Sequence, residues 1–260
     1  MPLGPSDVLL TDRVAVVTGA AVGIGRAIAT TFARFGADVA LCDREAENMA
    51  SAAAEVEGAG RAAFTRQLDV RDVDQVGDFA LAVRQRFGHV DVLVNNAGGG
   101  FRSDFLDVNV KGQQALVREN FDSVTNFIRA VVPLMPPDGG SIINLTSVEA
   151  HRAAPGFAVY AAQKAAVASL TKTLALELGA GGVVNCIAPD MIPTPGVGPL
   201  EGAAGPVPLG VTGHVDDVAA AALYLAGDLS RFVTGTTLHV DGGTAAAGGW
   251  HRLEDGSWAT

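Results

Sequence analysis

Cysteine is scarce in this chain: Cys42 and Cys186 are the only two among 260 residues. Both lie in short apolar runs, VALCD and VVNCIA, that read as buried strands, so free buried thiols are expected and a disulfide framework is excluded. Histidine is sparse as well. His89, His151, His214, His239 and His251 share no ligand spacing with one another or with cysteine, and no metal site is expected. Two tyrosines and two tryptophans are too few for an aromatic-rich β-sandwich. Positive charge is also short, with 18 Lys and Arg against 28 Asp and Glu for a net charge of −10. Nucleic acid or an anionic membrane would need a basic face, so neither is expected as a partner. No apolar run approaches the ~20 residues of a membrane span. The opening MPLGPSDVLLTD lacks the charged and apolar regions of a signal peptide. A cytoplasmic protein working on a small molecule is the expectation.

Glycine is plentiful, with 32 residues, and 48% of the chain is hydrophobic. Short β-branched runs alternate with longer helical patterns. Strands are expected at 13–18, 38–42, 62–68, 91–95, 141–146, 183–188 and 236–240, with helices beginning near 24, 45, 72, 108, 157 and 215. Several strands are apolar almost throughout, as strands covered on both faces should be. The alternation predicts an α/β fold: one doubly wound (Rossmann) domain over 1–260, with about seven parallel strands and helices on both faces. Residues 1–11 are expected to be a flexible lead-in. The proline- and glycine-rich stretch 189–213 is expected to be a substrate loop or lid. The tail 241–260 carries Trp250 and Trp258, for which packing on its own domain and a subunit contact are both open.

The first strand runs directly into TGAAVGIG and then into a helix. Gly19, Gly23 and Gly25 there supply a tight turn, close backbone approach to a pyrophosphate and tight helix–strand packing, beside the free N–H groups of a helix start. Val22 and Ile24 complete the turn, which carries no basic residue. Eighteen residues after Gly25, Asp43 ends the second strand. Its carboxylate can accept from ribose hydroxyls and repel a 2′-phosphate, or it can cap the next helix. Arg44 beside it could partner a phosphate. Together these favour NAD over NADP.

Tyr160 and Lys164 lie one turn apart on an alanine-rich helical segment, GFAVYAAQKAAVASLTKTLALELG, and so share one face. Alone they would read as a core tyrosine beside a snorkelling lysine. Ser147, however, stands twelve residues before the tyrosine. With the Gly-x-x-x-Gly-x-Gly spacing, NNAG at 95–98, LDV at 68–70, Asn120, PDMIPT at 189–194 and FVTGTTLHVDGG at 232–243, the chain resembles the short-chain dehydrogenase/reductase family over nearly its whole length. The resemblance implies a catalytic tetrad of Asn120, Ser147, Tyr160 and Lys164. It implies Asp69 and Val70 beside the adenine, Asn96, Ala97 and Gly98 along the ribose, and Pro189, Ile192 and Thr194 at the nicotinamide end. Tyr160 and Lys164 would also touch the cofactor. A homotetramer, or a homodimer, is implied by the VDGG segment. Gln163, Asp190 and Thr146 depart from the family's usual residues without removing a catalytic group.

The chemistry makes sense on its own terms. A free tyrosine has a pKa near 10, too high for a base at neutral pH, and a lysine ammonium one turn away is expected to lower it. Ser147 can hold a substrate oxygen by a hydrogen bond, and Asn120 can support a water that relays the proton. The substrate wall is expected from Phe101, Glu149, Phe157 and Met191, with Phe105, Ile192 and Leu200 as further apolar surface and Arg102, His151 and Arg152 as polar contacts. That suits a largely apolar or cyclic, steroid-like secondary alcohol or ketone. A 3-oxoacyl thioester reductase is the competing enzyme, and a non-catalytic nucleotide sensor or structural subunit the competing class.

Overall fold

Seven parallel strands form one sheet in the order β3-β2-β1-β4-β5-β6-β7. The computed structural model describes residues 3–137, 139–195, 207–253 and 255–259. The strands are β1 (Val14–Thr18), β2 (Asp38–Asp43), β3 (Ala63–Gln67), β4 (Val92–Asn95), β5 (Ser141–Leu145), β6 (Val183–Pro189) and β7 (Thr237–Val240). All seven expected strands are present within about two residues, the usual uncertainty of element ends. β1, β4 and β5 are buried at every position, which is why their sequences do not alternate.

The helices α1 (Gly23–Arg34), α2 (Ala46–Gly58) and α7 (Val215–Ala226) share a core on one face with Ile28, Phe32, Val56, Val218 and Leu225. On the other face α3 (Val73–Phe87), α5 (Ser123–Val131) and α6 (Ala158–Glu177) pack Phe79, Val83, Phe127, Val131 and Val167. Local signals set the helix starts. Asp72 accepts from the backbone N–H of Asp74 and Gln75 to cap α3, and Asn109 accepts from Gly112 to cap α4 (Val110–Val117). The chain leaves β1 toward β2 and β3 and later returns to β4 beside β1. A crevice therefore opens at the carboxyl ends of β1 and β4, where open α/β sheets bind ligands.

In the lead-in, Pro5–Val8 forms a 3₁₀ turn, and Leu10 is fully buried with its N–H donated to the Phe35 carbonyl at 2.7 Å. Leu10 sits in the core beside α1, with Val8 packed partly against it. The helix expected from 108 contains a π turn at Arg118–Asp122 between α4 and α5. Beyond β7, α8 (Thr244–Ala247) leads to an antiparallel hairpin of β8 (His251–Arg252) and β9 (Trp258–Ala259). Trp250 and Trp258 stay half exposed, so packing on their own domain covers only part of each ring. No helix among the described residues is long and apolar enough to cross a membrane.

Candidate active site

The glycine turn is shaped by sterics. Gly19 has φ +64°, and a Cβ there would stand 2.9 Å from Ala97 Cα; a Cβ on Gly25 would run into the Gly19 carbonyl. Val22 at the N-cap of α1 offers no side-chain acceptor, and the first turn holds no acid. The N–H groups of that turn and the positive end of the helix dipole are thus left for an anion. Thr18, which the sequence did not single out, locks this turn to the loop after β4. Its Oγ1 accepts from the N–H of Asn96 at 3.0 Å and of Ala97 at 2.9 Å, while Asn96 Nδ2 donates to the carbonyls of Thr18 and Gly19, each at 3.0 Å. The Asn96 amide is therefore part of the turn's frame. Thr194 brings the segment after β6 to the same place, its methyl 3.1 Å from a Cβ built on Gly23.

Asp43 Oδ2 accepts from the Ala21 N–H at 3.0 Å, which ties the end of β2 to the glycine turn. Its Oδ1 accepts from Arg44 and Glu45 N–H groups at 2.6 and 3.2 Å. The N-cap position of α2 itself is Glu45, not Asp43. Arg44 reaches Glu119 at 3.4 Å. Asp69 is gripped by Arg71, with contacts of 2.5 to 3.0 Å, and this hydrogen bonding holds its carboxyl below the usual range. Val70 and Ile192 are buried in the core, and Val22 and Ile24 pack partly against it. The Val70 and Ile192 side chains face protein, so what those two can offer a cofactor is backbone. Pro189 closes β6 in a buried position.

Tyr160 and Lys164 occupy the first two turns of α6, and the Lys164 nitrogen lies 5.7 Å from the tyrosine ring centroid. Lys164 is 4% exposed and donates to the Leu145 carbonyl at 2.9 Å. Burial pulls its ammonium down to about 8, against a smaller upward pull that includes Glu119. Gly98 marks where the groups converge: a Cβ on it would stand 2.8 Å from Asn120 Oδ1 and 3.0 Å from Lys164 Nζ. Ser147 sits between β5 and a 3₁₀ turn at Val148–Ala150, and its Oγ accepts from the Glu149 N–H at 3.2 Å.

The expectation that Lys164 lowers the phenol is not met in the protein alone. Burial raises the Tyr160 pKa, the Ser147 hydroxyl opposes this, and Glu149 adds to it. Desolvation is the largest influence on the phenol, and Lys164 gives one of its donors to the Leu145 carbonyl. Asn120 is likewise more occupied than expected. Nδ2 donates to the carbonyls of Gly99 at 2.8 Å and Leu116 at 3.0 Å, and Oδ1 accepts from Gly99 N–H at 3.2 Å. Only the second Oδ1 lone pair is left for a water. The π turn is what swings this residue inward, a use such turns often have.

Phe101, Phe105 and Phe157 line a small recess together with Tyr160, Phe157 standing edge-on to the tyrosine at 6.3 Å. Phe101 and Met191 are 48% and 43% exposed, open surface rather than core. The opposite edge is polar. Arg152 pairs with Glu149 at 2.7 Å and approaches Asp190 at 3.9 Å, while Asp190 accepts from Thr244 Oγ1 at 2.6 Å. His151 packs edge-on against His239 at 4.8 Å, and burial followed by that neighbour lowers its pKa. Arg102 lies along Gly156. Leu200 and the centre of the 189–213 loop, 196–206, fall outside the described residues.

Sequence reasoning also missed a buried amide ladder beneath the tetrad. Asn95 Nδ2 donates to Asn144 Oδ1, and Asn144 Nδ2 donates to Thr171 Oγ1, both at 2.8 Å. Asparagine at equivalent register positions of β4 and β5 was its one visible signal.

Residues 19–245 match the family described as enoyl-(acyl carrier protein) reductase. The 3-oxoacyl-[acyl-carrier-protein] reductase of Thermotoga maritima is 40% identical over 243 residues, 90% of this chain and 98% of that protein. The gluconate 5-dehydrogenase of Gluconobacter oxydans is 37% identical over 90% of this chain and 95% of its own. Among solved structures, carveol dehydrogenase from Mycobacterium avium in complex with NAD superposes with a TM-score of 0.86 at 28% identity, covering 91% of this chain and 99% of that one. The three act, by name, on an acyl carrier thioester, a sugar acid and carveol, so likeness alone selects no substrate.

Proposed function

The chain belongs to the short-chain dehydrogenase/reductase family of NAD(P)-dependent oxidoreductases, and on that premise we propose that it moves a hydride between NAD(H) and a largely apolar, cyclic secondary alcohol or ketone. The observation that carries this reading is the convergence of Asn120 and Lys164 at Gly98, with Tyr160 against Gly100 two residues on, beside a glycine turn whose helix start no side chain caps. These residues suit a dinucleotide: the uncapped first turn of α1 would hold its pyrophosphate, Asp43 its ribose hydroxyls, and Tyr160 and Lys164 its nicotinamide end. Nicotinamide, when bound, supplies the hydride acceptor or donor, and in the oxidised form a positive ring.

The chain's own residues manage the proton. In reduction the protonated Tyr160 hydroxyl gives its proton to the carbonyl oxygen; in oxidation the phenolate takes the proton of the alcohol. Burial keeps the phenol protonated, as the first role requires, while making it a weaker acid. Ser147 Oγ already accepts from Glu149 N–H, which leaves its own proton to donate to the substrate oxygen. Lys164 spends one donor on the Leu145 carbonyl and keeps two for the cofactor ribose and the phenolate. Asn120 holds the loop of Gly98 and Gly99 against α4 and so fixes the floor of the cleft.

The exposed Phe101 and Met191, with the half-buried Phe157 edge-on to Tyr160, support an apolar substrate body. A second reading, 3-oxoacyl thioester reduction, is favoured by the Thermotoga relative. Against it stands Arg152, whose charge is already matched by Glu149 and approached by Asp190. The test is reduced-nicotinamide absorbance with both cofactors across cyclic alcohols, their ketones and 3-oxoacyl thioesters. Turnover of cyclic alcohols with NAD is expected. Turnover confined to thioesters with NADPH would replace the first reading with the second.

A further inference from the structure

Glu119 plays no part in the proton path, yet it stands at the same edge of the sheet. It belongs to the π turn that holds Asn120, and its Oε1 lies 3.9 Å from a Cβ built on Gly99. From there it reaches Arg44 Nη2 at 3.4 Å, joining positions 75 residues apart. Arg44 follows Asp43 at the end of β2, where an arginine beside the ribose-facing acid is placed to pair with a 2′-phosphate. The neighbouring cation Arg71 is clamped on Asp69.

We propose that Glu119 is a cofactor-selectivity residue, holding Arg44 by its carboxylate so that a 2′-phosphate finds no free cation beside Asp43. The inference rests on the dinucleotide reading of the site and adds to it a determinant on a different element from the glycine turn and β2. The Arg44 and Glu119 side chains are 58% and 23% exposed, so their pairing contributes little to stability. Its effect falls on the ligand. A 2′-phosphate would have to displace Glu119 from the guanidinium and then sit near two carboxylates, Asp43 and Glu119. A 2′-hydroxyl faces neither obstacle.

The test is equilibrium binding of NADH and NADPH to the whole chain without substrate, followed by nucleotide fluorescence. Glu119→Gln is expected to tighten NADPH roughly fivefold, the upper worth of an exposed ion pair, with NADH nearly unmoved. The gain should shrink as salt is added and vanish in the double variant Arg44→Ala/Glu119→Gln. Arg44→Ala alone should barely change NADPH affinity, because the guanidinium is already engaged. A tenfold loss there, or equal shifts of both nucleotides in Glu119→Gln, would overturn the proposal. Failure of the unaltered protein to bind either nucleotide would overturn the dinucleotide reading and this inference with it.

Discussion

Replacing Lys164 with methionine should stabilise the cofactor-free protein while removing its activity. The lysine is 4% exposed, and burial lowers its pKa from 10.5 to about 8. Each unit is worth about 1.4 kcal/mol, so near neutral pH the buried charge costs about 3 kcal/mol. Methionine has similar volume and no charge, which removes that cost. It also leaves the Leu145 carbonyl without the Nζ donor, a loss of about 1–3 kcal/mol. The difference is a net gain of about 1 kcal/mol, or roughly 2–4 °C in a chain of this size. The sign of the pH dependence is a sharper test than the magnitude. Because the folded-state pKa is lowered, the unfolded chain binds more protons between the folded and unfolded values. The penalty is complete below about 8 and lifts as pH rises toward 10.5, so the unaltered protein should gain on the variant by about 2 kcal/mol from about pH 7 to about pH 9.5. Thermal unfolding of both proteins without cofactor, at several pH values, measures this. Parallel pH profiles, with the variant less stable throughout, would refute a buried charge at Lys164.

Tyr160→Phe keeps the ring against Phe157 and loses only the hydroxyl, so activity should fall by about 10²-fold or more while NADH affinity stays put; a fully active variant would end its assignment as the proton donor. Asp43→Ala removes the acceptor of three backbone N–H groups as well as the ribose-facing carboxylate. Titration with NADH should show weaker binding, and discrimination against NADPH should relax. Thr18→Val strips two backbone donors of their acceptor, which at about 1–3 kcal/mol each predicts a lowered melting temperature and weakened nucleotide binding together. Light scattering should show a homotetramer, with Leu176 and Phe232, exposed at 83% and 97%, as apolar surface for subunits to cover; a monodisperse monomer would contradict it.

The parts of this protein that were legible in its sequence are those fixed by local rules. The five interior strands β1, β2, β4, β5 and β6 were readable because burial on both faces forces unbroken apolar runs, and the glycine turn because only glycine fits against Ala97 and the Gly19 carbonyl. Tyr160 and Lys164 were readable because a helix stacks residues four apart. What stayed hidden depends on groups distant in the chain that meet at the sheet edge. Thr18 gains its meaning from loop amides 78 and 79 residues away, and Arg44 meets a carboxylate 75 residues on at Glu119. The phenol shows the limit most clearly. Spacing puts an ammonium one turn from Tyr160, but spacing does not say which atom the ammonium faces or how much water the site retains. Packing turns Lys164 toward Leu145 and dries the ring, and desolvation then wins over proximity. The same packing that makes the site recognisable therefore holds its acid protonated and its lysine weakly basic. The activating charge has to come from binding, so proton abstraction by Tyr160 should be tied to occupancy of the nucleotide cleft.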